Sequence, residues 1–277
     1  MIPKKLAMIN DIAGFGRCST TVSLPIISTM GVQVCPVPTS VFSNHTGFPS
    51  FQFLDLTENM KAYFTQWEAM QLSFDGIYCG FLGSMEQIEI VSNFLDSQKK
   101  YHPFVIIDPV MGDNGHAYST ITEKHCEEMK KLINKADIIT PNLTESCLLT
   151  DTVYDEHIDP AVLQNVAMQL HAMGPSQIVI TGIKNNGCFL NYIFQEGKEP
   201  SVYQVPISGE SRPGTGDVFA SIIAGDALNH VDFTDSVKRA ADFVRICTEE
   251  ATALRVPLQE GVCFENHLHL LTPQKKP

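Results

Sequence analysis

The stretch SRPGTGDVFASIIAG, residues 211–225, sets one acid directly after two glycines that flank a threonine, and then turns apolar. Gly214 and Gly216 permit the positive-φ geometry in which successive backbone N–H groups converge, and a helix starting near Asp217 adds the positive end of its dipole. Together with Thr215 they would make an anion cradle. The same dipole favours an ionised carboxylate, so Asp217 is expected to stay charged and to accept the proton of a hydroxyl as that hydroxyl attacks phosphorus. No lysine follows the glycines, so a Walker-type phosphate loop is excluded. A helix-initiating turn whose Asp caps the helix accounts for the same residues, and the rest of the chain has to decide between the two.

Other polar residues close the apolar runs. The first run ends in Asn10 and Asp11, another in Asp108 with Asp113 nearby, the next in Thr140, Asn142 and Glu145, and a later one in Thr181 and Gly182. In an open parallel sheet ligands bind beyond the carboxyl ends of the strands. Acids and amides gathered on that rim would hold a divalent cation and a phosphate-bearing ligand, because Mg²⁺ prefers carboxylate, water and phosphate oxygens. Taken one at a time, each also reads as the cap of the helix that follows. VFSNHTGF, residues 41–48, groups Ser43, Asn44, His45 and Thr46 between aromatics and suits a flat polar ring; a polar turn between strands is the alternative. His116 and Tyr118, in MGDNGHAY, read either as part of a flap over the site or as a surface loop. NDIAGFGRCS invites a dinucleotide reading through Gly14 and Gly16, but the third glycine position holds Ser19 and residues 31–40 contain no acid for a ribose. That reading is rejected.

Elements that would position these residues are legible as alternation. KLAMIN, VQVCPV, DGIYCG, FVIIDP, ADIITP and QIVITG are short aliphatic runs, and the longer stretches between them have helical spacing. Ser84 followed by Gln87, and Thr120 followed by Glu123 ahead of a helix over 122–134, read as caps. Near-continuous apolar strands alternating with helices predict an α/β fold, a mostly parallel central sheet with helices on both faces. Beyond residue 185 the pattern predicts two or three strands with turns at NNG and QEGKEP, then helix from Asp217 to about Leu271 with a break near Pro257.

The bulk properties set limits. A chain of 277 residues with 44% hydrophobic content buries a large core and is read as one domain, 1–277. A formal net charge of −12, interrupted by no basic run except the terminal PQKKP, repels nucleic-acid phosphates and anionic membranes. The eight cysteines lack C-x-x-C or zinc spacing and read as reduced core thiols. MIPKKLAMIND has too short an apolar run for a signal peptide or membrane span, and a cytoplasmic location is expected.

Taken together, SNHTG, GFLGS, DPVMGD, ADIITPNLTE and GTGD, in this order and at these separations, resemble the pyridoxal kinases of the ribokinase-like superfamily, a three-layer sandwich fold, over nearly the whole chain. The resemblance implies a homodimeric, Mg²⁺-dependent ATP phosphotransferase acting on the 5′-hydroxymethyl of vitamin B6 forms. It makes Asp217 the base, with Gly214, Thr215 and Gly216 stabilising the transferring phosphoryl group. Asn142, Thr181 and Gly182 would contact ATP, and Arg212 would reach a phosphate or form a surface ion pair. Asp108, Asp113 and Glu145 would organise Mg²⁺, and Thr140 with Thr181 would face K⁺ or Na⁺. On the substrate side stand Asn10, Thr46, Tyr118 and Phe81. Asn10, where many pyridoxal kinases have serine, and GFG after ND lean toward hydroxymethylpyrimidine kinases; an asparagine amide would reach the amine of pyridoxamine or an amino-pyrimidine. A non-catalytic binder of pyridoxal phosphate or nucleotide is the reading of a different class, and the presence of Asp217 weighs against it.

Overall fold

The structure, a computed structural model, describes residues 2–273; the basic terminal run continues beyond Pro273 and lies outside them. The first half of the chain runs β1 (Lys5–Ala13), α1 (Thr20–Thr29), β2 (Gln33–Phe42), β3 (Phe53–Asp55), α2 (Thr57–Ala69), β4 (Gly76–Cys79), α3 (Met85–Gln98) and β5 (Phe104–Ile107). A small hairpin follows, β6 (Gly112–Asp113) and β7 (His116–Ala117), then α4 (Glu123–Ile133), β8 (Ile138–Ile139), α5 (Leu143–Thr150) and α6 (Pro160–Ala172). The last part holds β9 (Gln177–Asn185), β10 (Cys188–Gln195), β11 (Ser201–Pro206), α7 (Thr215–Leu228) and α8 (Phe233–Ala253), with short 3₁₀ turns at Leu258–Glu260 and Glu265–Leu271.

Apart from the hairpin, the strands form one sheet in the order β11-β10-β9-β8-β5-β4-β1-β2-β3. The pairs from β2 through β9 are parallel, and β3, β10 and β11 add antiparallel edges. Chain order reverses at β1, with β2 on one side and β4 on the other, and that reversal opens a crevice at the carboxyl ends of these strands. The expected three-layer architecture is therefore present, with a mixed, mostly parallel sheet.

Side-chain alternation sorts the core into two layers. Leu6, Met8, Tyr78, Ile106, Ile138 and Val179 pack with α1, α7 and α8, whereas Ala7, Ile9, Ile77, Cys79, Ile107, Ile139 and Ile178 pack with α2 to α6. Helix α7 is buried almost all round, as its mostly apolar sequence after Asp217 requires, and its buried Asp226 is paired with Arg239. All eight cysteines are free thiols. Among the described residues no helix is long and apolar enough to cross a membrane.

Local expectations met the structure unevenly. Ser84 caps α3 by accepting from the Gln87 N–H, as its spacing predicts. Helix α4 is capped by Thr122, not Thr120: the Thr122 hydroxyl accepts from the His125 N–H, while Thr120 is held inside a turn closed by Ile121 N–H on the Tyr118 carbonyl. Strand β1 does not stop at Asp11 but continues to Ala13, and β9 does not stop at Thr181–Gly182 but continues to Asn185. Both pass through register shifts at the polar residues, the kind of irregularity that re-aims side chains.

Candidate active site

The same alternation places the site. Counting two residues beyond each last core residue on the α7 face gives Met8 to Asn10, Tyr78 to Gly80, Ile106 to Asp108, Ile138 to Thr140 and Val179 to Thr181. Parity therefore delivers these five positions to the carboxyl rim on the layer that contains α7. Asp217 lies in the first turn of that helix.

Gly214 is the N-cap of α7 with φ 81°, and a Cβ there would collide with the carbonyl of Arg17. Only glycine fits. Gly216 departs from the expected positive φ: it is an ordinary helical residue, and a Cβ on it would meet nothing within 4 Å. With no side-chain cap on this helix, the amides of its first turn stay available to an anion. Asp217 is half-buried, and burial raises its carboxyl above the ordinary 3.8 despite opposing pulls from the Ser19 backbone, the Asn10 amide and the charge of His45. Desolvation thus outweighs the interactions that hold the carboxyl down, which makes Asp217 a stronger base when ionised.

Asn10 is 1% exposed, and its Oδ1 accepts two backbone N–H groups, from Asp11 at 3.0 Å and Phe81 at 2.9 Å. Its Nδ2 makes no hydrogen bond of good geometry within the protein, although it lies near enough to the Asp217 carboxyl to draw it down. Those two donors fix the amide orientation and consume its acceptor, so Asn10 offers a donor to a ligand. This reverses the expectation that it would meet an amine. Gly80 makes the placement possible, because a Cβ there would press on the Asn10 side chain at 2.7 Å. Phe81, half-buried, lies edge-on to Phe42 at 6.2 Å. Asp11 is a candidate that the strand-end reading noticed without assigning: it is 6% exposed and pushed up to about 7, first by burial, with the Asp217 charge adding to it and the Ser19 side chain opposing.

Asp108 and Glu145 form a second acidic group. Burial raises both carboxyls, the nearby charge of Asp217 adding at Asp108 and that of Asp108 adding at Glu145. The Thr140 hydroxyl donates to Asp108 Oδ1 at 3.0 Å. Glu145 accepts from the amides of Met111 and Asn142 through its two oxygens, and the Asn142 side chain accepts from the Glu145 N–H, a complete capping box on α5. Capping is thus real at Asn142 and Glu145. Asp113 does not join a three-acid cage: it is exposed on the hairpin, its carboxylate accepts the Asn114 amide and side chain, and no group of three His, Cys, Asp or Glu among the described residues has metal-holding geometry.

The loop around His116 and Tyr118 is an ordered hairpin. Asn114 and Gly115 turn it with φ of 50° and 81°, and Thr144 and Asn142 pin it to α5 through Gly115 N–H and the Gly112 carbonyl. Tyr118 is 44% exposed, yet partial desolvation of its phenol, followed by the charges of Glu145, Asp113, Asp217 and Asp108, raises it. Thr181 and Gly182 occupy the β9 irregularity opposite Asn191, with Gly182 at φ 73° and the Thr181 N–H on the Pro141 carbonyl. Thr46 is exposed in the turn after His45.

Arg212 is not a surface ion pair, and of its donors the Nε is left without a partner. It is 6% exposed, and its guanidinium donates to the carbonyls of Ala251, Val256, Pro257 and Gly261. Nothing near it in sequence signals this, because every acceptor lies about 40 or more residues downstream.

The family model described as phosphomethylpyrimidine kinase matches residues 24–259. A solved structure of a candidate phosphomethylpyrimidine kinase from Bacteroides thetaiotaomicron VPI-5482 is 37% identical with TM-score 0.95, covering 99% of this chain and 96% of that one. A second crystal form described with pyridoxal is 36% identical with TM-score 0.94, covering 99% and 98%. Among curated relatives, pyridoxal kinase of Arabidopsis thaliana is 27% identical over 78% of this chain and 71% of its own length. Hydroxymethylpyrimidine/phosphomethylpyrimidine kinase of Aquifex aeolicus is 28% identical over 86% of each. With an uncapped helix start beside a half-buried acid at the carboxyl rim, the chain belongs to the phosphomethylpyrimidine kinase family and is an ATP-dependent kinase of small molecules.

Proposed function

We propose that the chain transfers the γ-phosphoryl group of ATP to the hydroxymethyl group of a six-membered nitrogen heteroaromatic, a hydroxymethylpyrimidine or its phosphate being the leading substrate class. The observation that carries this is the pairing of the open first turn of α7 with Asp217 on a rim where Asn10 presents an unpaired amide donor. The resemblance read from motifs put vitamin B6 first; the family description and the descriptions of the two Bacteroides structures support the pyrimidine ahead of it. A ring nitrogen or hydroxyl oxygen is the acceptor that the Asn10 Nδ2 needs. Vitamin B6 is the second reading, favoured by the pyridoxal named with the 36%-identical relative.

In this reading Asp217 takes the hydroxyl proton as its oxygen attacks phosphorus, and the amides of 214–217 compensate the charge on the transferring group. Asn142, Thr181 and Gly182 line the nucleotide side, and Phe81, Thr46 and Tyr118 the ring side. The acids fit a divalent cation: among the described residues none of Asp11, Asp108, Glu145 and Asp217 has a basic side chain within 4.0 Å, and burial raises all four. Mg²⁺ bound with the nucleotide would neutralise phosphate oxygens. Asp108 is the carboxylate to hold it, directly or through water, with Glu145 behind; Thr140 and Thr181 would face K⁺ or Na⁺. A second copy is proposed to cover edge strand β3, whose Phe53 and Leu54 stand exposed.

The test is ADP release with Mg-ATP and, in turn, hydroxymethylpyrimidine, its phosphate, pyridoxal, pyridoxine and pyridoxamine. Highest kcat/KM on a pyrimidine supports the leading reading, highest on a B6 form establishes the second, and turnover of none overturns both.

A further inference from the structure

Residues 256–261 touch three loops of the site at once. Arg212, two residues before the phosphate turn, spends its guanidinium on carbonyls of this segment, at 3.0 Å from Val256, 3.2 Å from Pro257 and 3.3 Å from Gly261. Arg17, in the glycine loop after β1, reaches the Glu260 carbonyl twice, from its backbone N–H at 3.2 Å and from Nη1 at 3.1 Å, while its Nε pairs with Glu265 at 2.6 Å. His45, in the 43–48 loop, donates from Nε2 to the Gln259 carbonyl at 2.6 Å and accepts the Gly47 N–H on Nδ1 at 3.1 Å. A carbonyl on one ring nitrogen and an N–H on the other set which tautomer the neutral ring holds.

The backbones are pressed together at the same place. Gly16, Gly214 and Gly261 all have positive φ. A Cβ on Gly16 would strike the His45 ring, one on Gly214 the Arg17 carbonyl, and one on Gly261 would lie 3.0 Å from Arg17 Cβ and 3.1 Å from the Pro213 carbonyl. None of these three positions has room for a side chain.

We propose that residues 256–261 lace the phosphate turn, the glycine loop and the 43–48 loop into one unit, and that His45, Arg17 and Arg212 are positioning residues for phosphoryl transfer. The lacing sets the distance between the cradle that holds the migrating group and the loop that flanks its acceptor. Small misplacements of reacting groups cost rate steeply. The inference rests on the kinase activity of the family and is independent of which heterocycle is phosphorylated.

The test compares Arg17→Met, His45→Phe and His45→Gln with the wild type for kcat, both KM values, thermal midpoint and amide hydrogen exchange. Phenylalanine keeps the ring that packs 4.7 Å from Phe48 and removes the donor; glutamine restores an N–H. Arg17→Met and His45→Phe are each expected to lower kcat about tenfold with KM for ATP changed less than about threefold, and His45→Gln to recover most of it. Their double variant should lose less than the product of the single losses, because both act through one segment. His45→Phe should also speed exchange at 213–217 and 44–48 together, a readout that needs no substrate. Wild-type kinetics in both single variants, a His45→Gln protein no better than His45→Phe, or faster exchange confined to 44–48 overturns the proposal. An inactive wild type faults the substrate reading, and the exchange arm then decides this one.

Discussion

Replacing Asp217 by Asn should slow the enzyme and stabilise the protein at once. Loss of a general base costs about 10²–10⁴-fold in turnover, about 3–5 kcal/mol of transition-state stabilisation, while KM for ATP changes less than about threefold because the amides of α7 remain. The stability arm follows from the acids around it. Asp11 keeps its proton up to about 7 in the folded chain against 3.8 when exposed, so the folded state binds more protons between those values and stability falls as pH rises through that window. The Asp217 charge contributes to the rise at both Asp11 and Asp108, and Asp217 is itself raised by burial. Removing that charge should therefore add about 1–2 kcal/mol at about pH 8, one unit being worth about 1.4 kcal/mol, and much less at about pH 4. ADP release measures the first effect, and urea denaturation of the ligand-free protein at both pH values the second. Turnover within tenfold of wild type, or a variant less stable than wild type at the higher pH, would refute the reasoning.

Asp11→Asn removes a carboxyl that folding holds protonated, and should stabilise the ligand-free protein by about 1–3 kcal/mol at about pH 8 with no gain near pH 4, by urea denaturation. Gly216→Ala puts a methyl into open space on a helical residue: folding should be unchanged or up to about 1 kcal/mol better, while kcat/KM for ATP falls at least about tenfold if that space receives the phosphoryl group. Gly214→Ala forces a left-handed residue against the Arg17 carbonyl and should lower stability by about 1–3 kcal/mol, seen as a lower thermal midpoint.

The strands were legible because their apolar runs are continuous, and so was the rim, because parity carries Asn10, Asp108, Thr140 and Thr181 to the face of α7 once Met8, Ile106, Ile138 and Val179 are known to share a layer. The GTGD turn was legible because glycine is the only residue for φ 81° at position 214. Strand β3 was not: three exposed residues carry no period. The use of Arg212 and the partnership of His45 with Gln259 were also hidden. Each pairs a side chain with a distant backbone carbonyl, and a carbonyl has no residue type to read. The upward shift at Asp217 was not legible, because desolvation, set by how the layers close over the site, is not a local property of GTGD.

The most direct measurement of the central claim is a crystal structure grown with Mg-ADP, aluminium fluoride and the best alcohol. The account predicts the fluoride group on the amides of residues 214–217, with the alcohol oxygen between it and the Asp217 carboxylate. A fluoride group seated elsewhere, or an Asp217 carboxylate with no contact to the alcohol, would contradict it.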